Sequence, residues 1–221
     1  MFYKKIIRPI FFQFDPEDVH HFVITAMKVA SELPPFFGII KKFTNINDSI
    51  LNTKIGNINF SNPVGLSAGF DKNVVAPLAY EMFGFGFSEL GSVTFSAQNG
   101  NARPRLWRIP KDKGLIVFYG LCNIGALAVA EKLSKVKNKK HPIGVSIAPT
   151  TGLKLEEMAV DYLKSFELLA PHADFITLNV SCPNVANCDI FSQVGFIRDL
   201  TKVINDFKKE KKYTVDLFLK I

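Results

Sequence analysis

From about residue 50 onwards, short apolar runs alternate with longer amphipathic segments. The runs are rich in β-branched and aromatic residues, which predicts buried strands. The predicted strands are residues 64–67, 87–90, 143–147, 175–180 and a last one from about 215. The predicted helices are residues 74–83, 126–135, 155–169 and 191–209. This alternation predicts a parallel sheet, in either a doubly wound or a barrel architecture.

Residues 1–45 show a different pattern. Asp15 and Pro16 form a strong helix start, with Asp15 as the cap and Pro16 at the first helical position, and apolar residues then recur at helical spacing for several turns. The preceding residues 2–12 mix aromatics, aliphatics and cations, which suits a segment lying in the bilayer interface. The alternative is a helical hairpin packed on the main domain. We therefore divide the chain into an N-terminal helical extension, residues 1–45, and an α/β part, residues 46–221.

Composition narrows the range of functions. The net charge is +7, and much of the excess lies in residues 132–140 and 208–212, at the ends of predicted helices, where lysine runs are usually solvated. We therefore predict no nucleic-acid partner. Three cysteines without Cys-x-x-Cys spacing argue against a disulfide scaffold and a zinc site, so no metal is predicted. The sequence shows neither a signal peptide nor a window of about twenty uninterrupted apolar residues that would span a membrane.

The most polar strand end follows the run at residues 175–178. Asn179, Cys182 and Asn184 lie there within one short segment, and Pro183 must stop the strand. In barrels of alternating strands and helices, the carboxyl ends of the strands hold the chemistry. A thiol between two amides fits a proton-transfer group beside a flat polar substrate. A turn in which asparagine mimics the backbone is the alternative.

The other strand ends carry small or cationic residues. Ala68 and Gly69 end the first predicted strand, where small residues let a planar ligand approach the backbone closely. Ser92 follows the second strand, and Lys72 and Lys220 stand at two different strand ends, where they can neutralise an anionic ring and a carboxylate. Together these residues predict a site for a flat anionic cofactor beside a small polar substrate.

Three long runs make a family resemblance specific. They are NPVGLSAGFDK at residues 62–72, GFGFSELGSVT at residues 84–94 and GNARPRL at residues 100–106. With the 179–184 motif and Lys220 in the right order, nearly the whole chain resembles the dihydroorotate dehydrogenases. The N-terminal extension is similar to that of their membrane-associated, quinone-dependent class. The resemblance implies a (β/α)8 TIM barrel, of which about the first five strands are present, preceded by the helical extension.

The resemblance also implies a function and a site. It implies an FMN-dependent enzyme that oxidises dihydroorotate to orotate in pyrimidine biosynthesis, with electrons passing to a quinone along an apolar path formed by the N-terminal helices. Residues 1–35 would contact the cytoplasmic side of the cell membrane peripherally. Cys182 would remove the ring proton as a thiolate, which Lys72 would promote. The residues implied to contact the flavin are Ala68, Gly69, Lys72, Ser92, Asn179 and Lys220. Those implied to bind the substrate are Lys72, Asn123, Asn179 and Asn184.

Several positions depart from the family pattern. The quinone class usually has serine where this chain has Cys182, and cysteine there is typical of the soluble class. Residues 120–125 also favour the soluble class. The family expects asparagine at Val117, where it binds the substrate, and at Ser146, near the flavin. These departures leave the substrate and the electron acceptor (quinone, fumarate or a nicotinamide-linked protein) more open than the fold.

The chain ends within its last predicted strand with no closing helix, which indicates truncation. TIM barrels commonly grip phosphate with the loops after strands seven and eight, and neither loop is expected in this chain. We therefore expect the isolated chain to be unstable or inactive and to hold flavin poorly. Two other functions stay open. One is another flavin barrel, which reduces uridines in RNA, and the other is a non-catalytic membrane-associated remnant.

Overall fold

The computed structural model describes residues 2–46, 48–181 and 194–221, which form an α/β fold with three helices ahead of the first strand. The α-helices described are α1 (Arg8–Phe11), α2 (Pro16–Glu32), α3 (Pro34–Thr44), α4 (Ala79–Met82), α5 (Ala126–Ser134), α6 (Leu155–Leu169) and α7 (Val194–Glu210). The strands described are β1 (Thr53–Ile55), β2 (Ile58–Phe60), β3 (Ser88–Val93), β4 (Leu106–Ile109), β5 (Gly114–Val117), β6 (Ile143–Ile147), β7 (Phe175–Asn179) and β8 (Asp216–Lys220). A π-helical turn, Tyr3–Ile7, precedes α1.

A parallel four-stranded sheet forms the centre of the fold, with the strand order β3, β6, β7, β8. The register places Gly91 opposite Ser146 and Asn179 opposite Lys220. Every residue of β6 and β7 is buried, as expected for parallel strands covered on both faces. The carboxyl ends of neighbouring strands therefore meet at one edge of the sheet, and the side chains that end each strand come together there.

The helices α5, α6 and α7 cover one face of this sheet, and α6 packs between the other two. Phe166 of α6 is fully buried and makes edge-on contacts with Phe207 and Tyr213, at ring-centroid distances of 6.5 and 6.2 Å. Burial of a large apolar side chain contributes about 1.5–3 kcal/mol. This layer, in which apolar residues recur at helical spacing, is therefore the main source of stability for the sheet.

The β1–β2 hairpin covers the amino end of the opposite face. Phe60 of β2 packs against Phe87 and Phe175, with ring centroids 5.0 and 6.3 Å apart, and Phe218 of β8 lies 5.3 Å from Phe175. The turn of the hairpin donates a backbone hydrogen bond of 2.8 Å to the carboxylate of Asp216, at the start of β8. Aromatic rings thus fill this end of the face.

The helix predicted for residues 74–83 is shorter in the structure and spans only Ala79–Met82. The carboxylate of Asp71 accepts hydrogen bonds of 2.9 Å from the backbone N–H groups four and five residues further along the chain. These donors are therefore held by a side chain in a loop, and Pro77, which has no N–H group, cannot continue a helical ladder through the same region.

The strand predicted for residues 64–67 is reduced to a bridge between Leu66 and Ser88. The β1–β2 and β4–β5 hairpins were not predicted, because strands of three or four residues are too short to show a clear alternation. The other predicted elements agree with the structure to within about three residues at each end, and residues 191–193 of the last predicted helix lie outside the described residues.

The N-terminal helices are fastened at a few polar points. Asp15 caps α2 as predicted, since its carboxylate accepts the backbone N–H of Glu17 at 2.8 Å. The guanidinium of Arg108 donates to the carbonyl oxygen of Phe14 at 2.8 Å. Helix α3 is tied to α4 by an ion pair between Lys41 and Glu81 and by the Thr44 hydroxyl, which donates to the backbone of α4 over 2.6 Å.

Large apolar side chains of α2 and α3 face outwards. Phe22, Phe36 and Phe43 are 64%, 58% and 84% exposed. Among the described helices, none is by itself long and apolar enough to cross a membrane. Helices α2 and α3 meet the length and composition criteria only when taken together, as a pair bent by 106°.

Candidate functional site

A row of hydrogen-bonded side chains crosses the carboxyl ends of three neighbouring strands. The hydroxyl oxygens of Ser92 on β3 and Ser146 on β6 lie 2.8 Å apart, and the side-chain amide of Asn179 on β7 donates to Ser92 over 2.8 Å. All three residues are buried. We call them the strand-end row. The structure thus brings together Ser92 and Asn179, which the sequence places at strand ends, and seats Ser146 against Ser92.

Asn179 is held from several sides. Its backbone carbonyl accepts a hydrogen bond from the hydroxyl of Tyr162 at 2.8 Å, and its side-chain oxygen accepts one from the hydroxyl of Ser181 at 2.9 Å. These bonds orient the amide with its nitrogen toward Ser92. Lys220 is the register neighbour of Asn179 on β8 and is partly buried, so it adds a cation to the same edge of the sheet.

Ala68 and Gly69 lie beside the end of β3. The backbone N–H of Gly69 donates to the carbonyl oxygen of Gly91 at 2.7 Å, which holds this loop against the strand. Gly69 has a φ of +110°, which L side chains rarely adopt, and a methyl group built on it would meet no atom within 4 Å. The space in front of Gly69 is therefore open, and a flat ligand can approach the backbone there.

Lys72 follows this loop and turns back over it. Its ammonium group donates to the carbonyl oxygen of Gly69 over 2.6 Å and lies 3.9 Å from the centroid of the Tyr119 ring. Burial lowers the pKa of Lys72. The lysine combines a cation–π contact with a hydrogen bond to the loop at Ala68 and Gly69, so its position is well defined.

Lys72 lines a cavity of about 160 Å³ between α2 and the loops at residues 70–75 and 119–122, which we call the Lys72 cavity. Other residues of its wall include His20, Thr25, Tyr119 and Cys122. Burial and the neighbouring charge of Lys72 lower the pKa of His20. Burial, followed by the charge of Glu17, raises the pKa of Tyr119 to about 12. Near neutral pH the imidazole and the phenol are both uncharged.

The Asn123 side chain is buried and used within the fold. Its amide nitrogen donates to the Thr94 hydroxyl at 2.9 Å and to the Leu121 carbonyl at 2.7 Å, and its oxygen accepts the N–H of Gly125 at 2.9 Å. A hydrogen bond from Asn123 to a substrate would therefore require one of these bonds to break. Val117, at the end of β5, is 58% exposed and offers an apolar side chain.

Two predicted site residues, Cys182 and Asn184, lie outside the described residues, as does Cys188. Among residues 2–46, 48–181 and 194–221, no three His, Cys, Asp or Glu side chains are grouped so that they could hold a metal ion.

The sequence reasoning missed an ion-pair cluster beside the Lys72 cavity. Glu17 of α2 is only 2% exposed and pairs with Arg103 and Arg105, which stand just before β4. The available signals were the acids in the first turn of α2 and the two arginines that flank Pro104. No local pattern shows that groups separated by 88 positions meet.

Comparison with known proteins gives a consistent result. The family model described as Dihydroorotate dehydrogenase matches residues 50–221. A protein of Nostoc punctiforme named dihydroorotate dehydrogenase (quinone) is 38% identical, over 99% of this chain and 60% of the relative. One of the same name in Nocardia farcinica is 36% identical, over 99% of this chain and 59% of the relative. The chain thus spans about 60% of the length of these curated relatives.

Solved structures show the same fold. A crystal structure of DHODH from Eimeria tenella in complex with ferulenol has a TM-score of 0.73 and 26% identity, covering 89% of this chain and 52% of that one. The ligand-free structure from the same organism has a TM-score of 0.73 and 28% identity, covering 86% and 53%. The described sheet and helices are therefore part of a TIM barrel, as predicted.

Proposed function

Because the chain belongs to the dihydroorotate dehydrogenase family, we propose that the protein oxidises dihydroorotate to orotate in pyrimidine biosynthesis, with FMN as its cofactor and a quinone as its electron acceptor. The observation that supports this most directly is the strand-end row, which lies at the same edge of the sheet as the open loop at Gly69 and the ammonium group of Lys72. Carboxyl ends of barrel strands are where such enzymes hold their reacting groups.

The residues present fit a flavin. The open space in front of Gly69 admits a flat ring against the backbone of Ala68 and Gly69. The hydroxyl of Ser92 and the amide of Asn179 offer polar contacts to the ring, and Lys72 and Lys220 offer positive charge. Ala68, Gly69, Lys72, Ser92, Asn179 and Lys220 would thus hold the cofactor. Ser146 would support Ser92 through the hydrogen bond between their hydroxyl groups. Bound FMN would accept the hydride, and a nearby cation favours the negative charge that develops on such a ring.

The substrate contacts follow from charge and hydrogen bonding. Lys72 would neutralise the carboxylate of dihydroorotate. The amides of Asn179 and Asn184 would pair with the donors and acceptors of the pyrimidine ring. Cys182 would remove a proton from the ring carbon, as a thiolate. The substrate thus loses one proton and one hydride and becomes orotate.

Asn123 and Val117 bear on specificity. With the Asn123 amide engaged by Thr94, Leu121 and Gly125, its part in substrate binding would be to fix the loop at residues 120–125 beside the site. Val117 would leave one polar group of the substrate without a protein partner, at a cost of about 1–3 kcal/mol if that group were buried.

The N-terminal helices would provide the quinone path and a peripheral contact, through residues 1–35, with the cytoplasmic side of the cell membrane. Helices α2 and α3 enclose an apolar groove of about 340 Å³, lined by Phe22, Thr25, Ala26, Val29, Ala30, Leu33 and Phe36. Thr25 also lines the Lys72 cavity, so the groove and that cavity border the same turn of α2. An apolar quinone in the groove would lie close to the loop at Ala68 and Gly69, where the cofactor would bind. The exposed phenylalanines would face lipid.

The test is the visible spectrum of the protein expressed from its own gene, recorded before and after anaerobic addition of dihydroorotate. We expect flavin absorbance that bleaches with dihydroorotate and returns on addition of a quinone analogue. Flavin that does not bleach would overturn the substrate assignment, and protein without flavin would overturn the cofactor assignment. Colour that returns with fumarate but not with the quinone analogue would overturn the acceptor.

A matched pair of variants sharpens this test. Lys72→Met should slow the bleaching on the order of a hundredfold, because it removes the cation beside both ligands. Lys132→Met is the control, since Lys132 also donates to a backbone carbonyl, that of Asn73 at 2.7 Å, but does not line the Lys72 cavity. Equal bleaching rates in the two variants would contradict the role proposed for Lys72.

A further inference from the structure

The carboxylate of Glu17 is saturated by two arginines. Its two oxygens accept hydrogen bonds of 2.8–3.1 Å from the Nε and Nη2 atoms of Arg105, and Arg103 Nε donates a further bond of 3.0 Å. A buried carboxylate is tolerated only when it is paired in this way. The pairing fixes Arg105 more firmly than Arg103, because the Arg105 side chain is 12% exposed and that of Arg103 is 46% exposed.

Arg105 has little freedom left. Its Nη1 atom donates to the carbonyl oxygens of Asn99 and Asn101, at 2.7 and 2.9 Å. The carbon of its guanidinium lies 5.2 Å from the centroid of the Tyr119 ring. The ammonium group of Lys72 lies 3.9 Å from the centroid of the same ring. Tyr119 is therefore shared by two cations, and the first turn of α2 fixes one of them.

We propose that Glu17 is a positioning residue for Lys72, acting through Arg105 and the ring of Tyr119. The inference rests on the proposed function for the role of Lys72 toward flavin and substrate. By this arrangement the N-terminal extension fixes the position of Lys72 and influences its protonation. This role is additional to the quinone path proposed for the same helices.

The charges around Lys72 support this view. Among the residues that the structure describes, the titratable groups around it are Glu17, His20 and His21 from α2, Asp71 from its own loop, Arg105 and Tyr119 from the β4–β5 region, and Cys122 after it. Burial is the main cause of the lowered pKa of Lys72, Cys122 and Glu17 raise that pKa, and Arg105 lowers it. Loss of the Glu17 charge would leave Arg105 uncompensated and lower the pKa of Lys72 further.

The experiment measures Lys72 directly and needs neither flavin nor substrate. The full chain is labelled with trace acetic anhydride over a series of pH values, and the Lys72 peptide is quantified by mass spectrometry. We expect Glu17→Gln to shift the labelling midpoint of Lys72 downward by about half a pH unit. Asp18→Asn is the matched control, because Asp18 lies in the same turn and pairs with Arg103 at 2.6 Å. Its midpoint should match that of the parent chain.

Two results would overturn the proposal: midpoints that are the same in Glu17→Gln and the parent, or equal shifts in Glu17→Gln and Asp18→Asn. A second pair of variants decides the matter if Glu17→Gln does not fold. The Tyr119 hydroxyl is buried and, among the described residues, has no hydrogen-bond partner. Tyr119→Phe therefore keeps the ring that both cations share, and Tyr119→Leu removes it. We expect a downward shift in the leucine variant alone, and equal midpoints would refute the coupling.

This design separates the inference from the proposed function. A shifted midpoint in a protein whose flavin does not bleach with dihydroorotate would keep the positioning role of Glu17 and reject the substrate. In a protein that does bleach, Glu17→Gln should raise the KM for dihydroorotate more than it lowers kcat, because Lys72 would hold the substrate carboxylate. An unchanged KM at the pH where the midpoints differ would count against the link to substrate binding.

Discussion

The sheet with its covering helices and the N-terminal helices bury very different parts of their sequences. Every residue of β6 and β7 is buried, and α6 buries six residues, including Tyr162 and Phe166. Helix α2 is longer than α6 but buries only Glu17 and Ile24, and α1 buries none. One region is therefore stabilised by apolar burial, and the other is fastened largely by charged groups.

Apolar burial therefore stabilises the sheet and its covering helices, whereas ion pairs attach the N-terminal helices to them. Apolar burial is not directional and holds over a wide range of pH. An ion pair holds only while both partners are charged, and it fixes a particular geometry. The N-terminal helices can thus keep their apolar sides exposed while their first turn stays in a defined place next to the Lys72 cavity. The following changes weaken one kind of contact at a time.

The largest effect is expected from Phe166→Ala, in the buried layer. The substitution removes a fully buried ring that contacts Phe207 and Tyr213, and it should lower the free energy of unfolding by about 3–5 kcal/mol. Urea unfolding followed by circular dichroism measures it. Phe43→Ala is the control, because Phe43 is 84% exposed and its loss should change the free energy of unfolding by less than about 0.5 kcal/mol. Equal losses in both would contradict the assignment of stability to this layer.

Acid should release the start of α2. Burial alone would raise the pKa of Glu17, but hydrogen bonds and charge from Arg105, together with Arg103, hold it below its reference value of 4.5. The stabilisation by Glu17 is therefore complete above pH 4.5 and is lost as the pH falls through the lower folded value. Bonds to a charged group of this kind contribute about 1.5–3 kcal/mol.

Trp107 on β4 is the one tryptophan of the chain, so its fluorescence reports on this region during an acid titration. We expect a transition below pH 4.5 in the parent chain that is much smaller in Glu17→Gln, in which the buried carboxylate that pairs with Arg105 is gone and only the more exposed pairs of Arg103 with Asp15 and Asp18 remain. Glu156→Gln, in the first turn of α6, should keep the transition. A transition that persists unchanged in Glu17→Gln would show that another group controls the attachment.

The smallest effect is expected from Lys41→Met, which removes the ion pair between Lys41 of α3 and Glu81 of α4. The side chains of Lys41 and Glu81 are 30% and 11% exposed, and a partly exposed pair contributes about 0.2–1 kcal/mol. Limited proteolysis within α3 should become several times faster, because local opening is easier. Lys42→Met, on the exposed neighbouring residue, should leave the rate unchanged. Equal proteolysis rates in the parent chain, Lys41→Met and Lys42→Met would mean that Thr44 or apolar contacts hold α3 against α4.

Much of the fold could be predicted, because it follows from local pattern. The strand at residues 143–147 and the helix at residues 155–169 match their predicted bounds, since both are long enough for periodicity to show. The helix predicted from residue 74 fails because the Asp71 carboxylate takes up backbone donors, an interaction that no propensity records. The hairpins were missed because their strands are short.

The arrangement of the candidate site was predictable only in part. The positions of Ser92, Asn179 and Lys220 at strand ends predict that these residues lie close together, because a parallel sheet places successive carboxyl ends at one edge. The engagement of Asn123 within its own loop was not predictable, since a sequence does not show which donors an amide meets. By its position in the sequence Glu17 is an ordinary first-turn acid, because its partners lie 86 to 88 positions away.

The three arginines at positions 103, 105 and 108 belong to one short segment, and all of them bond the first turn of α2 or Phe14, two residues before it. The extension and that segment should accordingly be inherited as one unit. A chimera whose first 45 residues lack an acid at the position of Glu17, but which keeps the arginine segment of the recipient, should lose the attachment. Exchanging both together should preserve it, so recombination between homologues is constrained at two distant points of the gene at once.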